Sequence, residues 1–550
     1  MLISRRAFTG GALSVALGSQ LSGPALAQDA ARSSALAAIR AYGQAHLDHF
    51  RLPGMTLGVT APDGFSTVMN FGYADADART PITSDTLFQV GSISKLMNAA
   101  MIHQFAAEGR LRLTDRISDL LPAIPLPPGN RIQVQHVLDH VAGLPGDAPA
   151  FPDGGLWTAY APGAHWHYSN TGYEILGKLL EHLGGKPLDR LIQERIFNPL
   201  GMRRSRGAII GQDRTLYAQG YEPADELPFA IGVPLAPAAW VDVTFGAGNV
   251  ASTADDMTRL LRSLANAVQG RGGMGLSPAL ARAYSTHAVP SDERGMSYGN
   301  GLMHVANDGR SYLHHTGGMI SFVSSFHVDV ASGFGAFASA PFSAFAEYRP
   351  RLLTRFAVDA LGNALAGRPL PSPPSLDTPL ANAGAYVGSY VGPAGKFEIR
   401  TGAPLTIVAD GQSAPLQPWG GEIFRTTHTS FRAFSLMFER RGDAVTAASW
   451  GAETYLRSGA GGRVPASNAA LAKLAGRYVN DSPWLGMAQV VERGGRLWLG
   501  TEGRMDPIGN NLWRVGDESW SPERASFANF IDGRPQTFIF SGEKFARHDI

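Results

Sequence analysis

A chain of 550 residues is too long for a single hydrophobic core and divides into roughly two to four domains. Its 47 basic and 46 acidic side chains balance to +1 without a basic run, which excludes an electrostatic footprint for nucleic acid. The absence of cysteine rules out disulfides and thiol chemistry, and no run of about 18 apolar residues follows the first thirty positions, so no internal membrane span is expected.

The chain opens with an address rather than a fold. Residues 4–8 read SRRAF, a glycine- and alanine-rich apolar stretch follows, and ALA at 25–27 offers a small-x-small cleavage site. Segment 1–27 is therefore expected to be a twin-arginine-type signal peptide, which delivers a folded protein to the periplasm.

Residues 88–109, FQVGSISKLMNAAMIHQFAAEG, predict a helix apolar nearly all round and closed by Gly109. Ser92 and Lys95 stand at i and i+3, on one face of its first turn. Alone, S-x-x-K also describes a surface lysine at a frayed helix start. Residues 165–185, HWHYSNTGYEILGKLLEHLGG, predict an amphipathic helix with Tyr168, Ser169 and Asn170 just before it or in its first turn. Asn170 or Thr171 could there be no more than a helix cap. In 311–330, SYLHHTGGMISFVSSFHVDV, residues Phe322, Ser324, Phe326 and Val328 alternate, predicting a strand preceded by a glycine turn. HTGG would equally serve as a β-turn with an incidental histidine.

Residues 366–380 hold five prolines in 15 positions and mark a linker, placed at 368–379. Beyond it helix signals fade and short alternating runs repeat. YVGSYVG (386–392) resembles LAGRYVN (474–480), LQPWGGEIFR (416–425) resembles MDPIGNNLWR (505–514), and ETYLR (453–457) resembles EKFAR (543–547). The offsets of 88, 89 and 90 residues keep order and register. They predict two tandem antiparallel β-barrel domains, 380–462 and 463–550, after a catalytic domain at 28–367.

Three other patterns carry less. GMSYG at 295–299 matches G-x-S-x-G around Ser297, but it lacks the strand before and the helix after that a nucleophile elbow needs. His136 and His140 have zinc-compatible i, i+4 spacing without a following glutamate, so packing is the favoured reading. His165 and His167 flank Tyr168, and no metal set closes around them.

Taken together and in order, S-x-x-K, Y-x-N and H-T-G resemble the serine β-lactamase and penicillin-binding-protein superfamily, in its class C and esterase-like branch. Residues 86–95, 132–146 and 248–261 agree, and the resemblance spans roughly residues 35 to 365. It implies an α+β catalytic domain, a helical cluster packed on an antiparallel sheet flanked by helices. It also implies Ser92 as acylated nucleophile, Lys95 as general base, Tyr168 as proton relay, and Asn170 holding Lys95 and the substrate amide. The N–H groups of Ser92 and Gly318 would form the oxyanion hole.

The chemistry asks for the same residue types. A serine hydroxyl needs a base, and lysine is one only when burial and a helix N-terminus bring its pKa from ~10.4 toward ~7. One departure stands out: Lys-Thr-Gly is replaced by His315-Thr316-Gly317. A histidine with pKa near ~6.5 is mostly neutral at pH 7. This argues against an efficient β-lactamase or a carboxypeptidase. A histidine there, with two β domains after the catalytic one, resembles the D-aminopeptidase group, whose last domain reaches into the cleft.

The reading that follows is an exported serine hydrolase acting through an acyl-enzyme, a peptidase or amidase on small D-residue-containing or otherwise unusual peptides. A carboxylesterase is the runner-up; a β-lactamase and a non-catalytic binder of cell-wall peptides come behind. No cofactor and no metal are expected. The partners expected are a small peptide, amide or ester substrate and, as an allowed state, a homodimer. The acidic, aromatic loop 516–524, GDESWSPER, suits contact with a substrate ammonium group, while a solvated hairpin tip is the favoured reading for any single residue in it.

Overall fold

The computed structural model describes residues 22–224, 228–378 and 380–548. The arginines of the expected leader lie outside them, while positions 25–27 fall in the first turns of helix α1 (Ser22–Phe50).

Nine antiparallel strands form the central sheet: β1 (Gly54–Thr60), β2 (Ser66–Asp75), β3 (Thr80–Pro81), β4 (Val289–Pro290), β5 (Met296–Gly299), β6 (Leu302–Asn307), β7 (Arg310–Gly318), β8 (Val323–Asp329) and β9 (Gly335–Ala340). Their spatial order is β3-β2-β1-β9-β8-β7-β6-β5-β4, so the two ends of the catalytic chain meet where β1 pairs with β9. Strands β1, β8 and β9 are buried along their whole length, because helices cover both faces. Helices α1 and Arg351–Leu365 pack on one face, and Ala254–Val268 packs on the other. The resulting apolar layer joins Ile39, Leu57, Ala338 and Leu361. A second core gathers Leu96, Ile102, Leu176, Leu179 and Leu260 from the helical cluster beside the sheet.

One element differs from the sequence expectation. HTGG is not a turn: His315–Gly318 is the last part of β7, pairing with Val323–Phe326 of β8. The turn is made by the residues after Gly318, where the Met319 N–H donates to the Phe322 carbonyl at 2.8 Å. Two consecutive glycines let that strand end pass close under its neighbours.

The proline-rich segment is a strap laid on the catalytic domain. The Tyr42 hydroxyl donates to the Pro374 carbonyl at 2.9 Å, and Leu370 and Leu376 pack against the α1 layer. After it come two closed, eight-stranded antiparallel barrels, with strands from Gly388 to Arg457 and from Gly476 to Arg547. Their repeat is physical: Tyr390 pairs with Arg457 to close the first, and Tyr478 pairs with Arg547 to close the second. Each tyrosine donates its hydroxyl four residues back, to Tyr386 and Leu474 carbonyls, both at 2.7 Å. The first barrel docks through Gln417, which exchanges hydrogen bonds with the backbone of Ile231 at 2.8 and 3.0 Å.

Candidate active site

Ser92 sits in the middle of a single 3-10 turn, Gly91–Ile93, between a short strand and helix α2 (Ser94–Ala107). Ser94 stitches the turn: its hydroxyl donates to the Gly91 carbonyl at 2.7 Å and accepts from the Val250 N–H at 3.0 Å. Gly91 has φ +55, and a Cβ on it would lie 2.8 Å from the Gly318 nitrogen. A Cβ on Gly317 would lie 2.0 Å from the Val90 carbonyl oxygen. No side chain fits at either place, and Ser92 and Gly318 come to line the same cleft.

Lys95 is completely buried. Its ammonium nitrogen lies 3.0 Å from Ser92 Oγ, 2.7 Å from Asn170 Oδ1 and 2.9 Å from the Ala247 carbonyl. Desolvation lowers its pKa to about 7, against a smaller opposite pull from Asp147. A neutral amine has two N–H donors and one lone pair. Asn170 and Ala247 are obligate acceptors, so the lone pair is left for the Ser92 proton. The helix predicted from the apolar run 88–109 thus supplies the burial that this amine needs.

Helix α3 (Asn170–Gly184) is capped by Ser169, whose hydroxyl accepts from the Gly172 N–H at 3.0 Å. Asn170 is thereby free of the cap role. Its Nδ2 donates to Asp147 Oδ1 at 2.6 Å, which fixes Oδ1 toward Lys95. Tyr168 places its ring centroid 4.9 Å from Lys95 Nζ and lines the same cleft as Ser92. Burial pushes the phenol above its usual range, although the neighbouring Ser92 hydroxyl works the other way. Tyr168 therefore stays protonated and can pass a proton onward.

His315 is 1% exposed. Its Nδ1–H donates to the Thr316 carbonyl at 2.6 Å, and Nε2 accepts from the Tyr298 hydroxyl at 3.1 Å. Burial, helped by the Lys95 charge, drops its pKa to about 3. It is neutral throughout the physiological range. Thr316 and Gly318 line the cleft beside it, and Gly317 supplies the close backbone approach.

The cleft has two lobes meeting at Ser92. One, of about 320 Å³, is walled by Val241, Phe245 and Trp484 with Glu174 and Glu543. The other, of about 480 Å³, holds Tyr168, His315, Thr316, Arg349 and Leu485. Trp484, Leu485 and Glu543 come from the second barrel, so a domain far along the chain completes the site. Burial pushes the Glu543 and Glu174 carboxyls up, and it lowers the Arg349 pKa to about 10. Sequence reasoning singled out neither Arg349 nor Glu543.

Loop 516–524 does not line the cleft, so substrate contact, the bolder of its two readings, is not seen there. It docks behind the Tyr168 loop instead, with Trp520 stacked on His165 at 4.5 Å. Ser297 lies in β5, paired with His304 of β6, and no helix follows it. His136 Nδ1 accepts the Gln133 N–H at 3.1 Å as part of a capping box. His140 is buried against Tyr168, with Nδ1 accepting the Ser169 N–H at 3.1 Å. Among the described residues no group of three or more His, Cys, Asp and Glu side chains is arranged to hold a metal.

A family model described as Beta-lactamase matches residues 37–343, more than half of the chain. A Beta-lactamase of Pseudomonas fluorescens is 31% identical over 183 residues, 32% of this chain and 51% of that protein. Penicillin-binding protein 4 of Amycolatopsis lactamdurans is 29% identical over 170 residues, 28% of this chain and 44% of that protein. The chain thus spans about half the length of the curated relatives it matches. An octameric penicillin-binding protein homologue from Pyrococcus abyssi superposes with a TM-score of 0.55 at 22% identity, covering 77% of this chain and 100% of its own. D-amino acid amidase from Ochrobactrum anthropi SV3 gives 0.50 at 23%, covering 60% and 99%. At these identities the two structures establish a shared fold.

Proposed function

Because the chain belongs to the Beta-lactamase family, we propose that it is a serine hydrolase working through an acyl-enzyme on Ser92. The observation that carries this is the buried amine of Lys95, held by two obligate acceptors with its third position on Ser92 Oγ. Ser92 Oγ attacks a carbonyl carbon while its proton passes to Lys95. The N–H groups of Ser92 and Gly318 hold the oxyanion, each worth about 2.7–4 kcal/mol. The C–N bond breaks as Tyr168 gives its proton to the departing amine and recovers one from Lys95. Water then cleaves the Ser92 ester.

The substrate we propose is a short peptide or amide with a free amino terminus, D-configured or otherwise unusual. Glu543, Glu174 and Asp147 offer carboxylates to an ammonium group beside the apolar wall of Val241, Phe245 and Trp484. The second barrel roofs the cleft and limits it to small ligands. Arg349 supplies the second lobe with the cation that His315 does not. The twin-arginine-type leader at 1–27 supports export to the periplasm, which fractionation checks.

The test compares D- and L-aminoacyl p-nitroanilides, their N-acetylated counterparts, p-nitrophenyl esters and a chromogenic cephalosporin. Free-amine anilides should exceed N-acetylated ones in kcat/KM by at least about tenfold. Turnover confined to esters would replace this reading by the carboxylesterase one, and efficient cephalosporin cleavage would replace it by a β-lactamase.

A further inference from the structure

The segment from Gly146 to Asn170 carries Tyr168 and Asn170, two of the side chains around Lys95, and it has little regular structure of its own. The Gly146 carbonyl accepts the N–H groups of Asn170 at 2.7 Å and Thr171 at 3.1 Å, which places the first turn of α3. The Gly146 N–H points the other way, across the domain boundary. It donates to Glu523 Oε1 of the second barrel at 2.7 Å. The same oxygen accepts His167 Nε2–H at 3.0 Å, from the residue preceding Tyr168. The other carboxylate oxygen is held by the Ser541 hydroxyl. Burial opposes the charge, but the bonds from His167, Ser541 and Gly146 outweigh it and keep this carboxyl below the usual range.

Three further features fit a built contact. A Cβ on Gly146 would lie 3.1 Å from Glu523 Oε1, so the bare backbone is what lets the carboxylate approach. Trp157 Nε1 donates to the Pro522 carbonyl at 2.8 Å. Trp520 stacks on His165 with 7° between the rings. The GDESWSPER loop is thus spent on the back of the catalytic loop rather than on substrate.

We infer that Glu523 is a positioning residue: through Gly146 and His167 it holds Asn170 and Tyr168 in register with Lys95 and Ser92. It touches neither substrate nor reacting atoms. The last barrel therefore acts on the chemical step as well as on the shape of the cleft. This inference rests on the acyl-enzyme reading above.

The test measures the rate at which a fluorophosphonate esterifies Ser92 in the full chain, alongside kcat and KM for a p-nitrophenyl ester and the thermal midpoint. Glu523→Gln keeps an acceptor toward Gly146 and His167 and a donor toward Ser541, so its rate should stay within about threefold of wild type. Glu523→Asp and Glu523→Ala cannot span the gap and should fall about tenfold or more in labelling rate and kcat, with KM changed less than about twofold. Lys544→Ala removes an exposed ion pair to Asp153 at the same domain boundary and should label like wild type. If the alanine variant does not fold, the aspartate-glutamine comparison carries the test. Wild-type labelling in Glu523→Asp, or an equal fall in Glu523→Asp and Glu523→Gln, or a fall in Lys544→Ala matching that of Glu523→Asp, would overturn the inference. Failure of the wild type to label at Ser92 would instead overturn the acyl-enzyme reading.

Discussion

Lys95 must lose its proton before it can take one from Ser92, and burial sets where that happens. With its pKa near 7, the acylation rate should rise with pH through 7 and level off about a unit above it. Lys95→Arg, charged at every working pH, should lower the rate by about 10³-fold or more. The same shift leaves a mark on stability. Between pH 7 and the ordinary value of 10.5 the unfolded chain keeps a proton that the folded chain has released, so stability rises with pH in that window. Comparing urea unfolding of wild type and Lys95→Met across pH 7–10.5 checks the sign: the difference should move in favour of wild type as pH rises. His315 makes the opposite case, a titratable residue kept from titrating. His315→Lys would break the Tyr298 bond and add a cation near Lys95. Its acid limb should move below pH 7, and cephalosporin turnover should rise because a fixed charge now faces the carboxylate. An unmoved limb with unchanged cephalosporin turnover would mean that position 315 does not set charge preference.

At the scale of elements, the catalytic apparatus depends on one 3-10 turn pressed against one strand end. Gly317→Ala drives a methyl group into the Val90 carbonyl and the Ser324 hydroxyl. It should therefore slow acylation about 10²-fold or more by displacing the oxyanion donors. Ser94→Ala leaves the buried Val250 N–H without its acceptor, a loss of about 1–3 kcal/mol readable by denaturant unfolding. These dependences explain what could be read from sequence. The i, i+3 spacing of Ser92 and Lys95 sets them on one helix face, but only the company of the other two motifs separates a buried lysine from a surface one. Tyr168 and Asn170 stand out in the sequence only through the ordered set S-x-x-K, Y-x-N, H-T-G, since a place just before an amphipathic helix equally fits a cap. The paired glycines after Thr316 were seen, but a strand end that needs close approach uses the same residues as a turn, so their place was misread. The Ala247 carbonyl, the third partner of Lys95, carries no side-chain signal at all.

Over the whole molecule, the repeats announced two barrels but could not say where they dock. Glu523 and Gly146 are 377 residues apart, and no spacing rule reaches that far. Nor does composition single out Glu543 from the other exposed-looking acids of the barrel hairpins. Its presence in the cleft makes the last domain part of substrate choice. Glu543→Gln should reduce kcat/KM for free-amine anilides about tenfold and leave N-acetylated substrates within about twofold. Equal losses on both would show that the carboxylate shapes the cleft without reading the amine. The account as a whole stands on a single covalent bond, so the most direct measurement is peptide mapping by mass spectrometry of the full chain after fluorophosphonate treatment. It should find one adduct, on the peptide containing Ser92, that disappears in Ser92→Ala; an adduct on the Ser297 peptide, or none on Ser92, would contradict it.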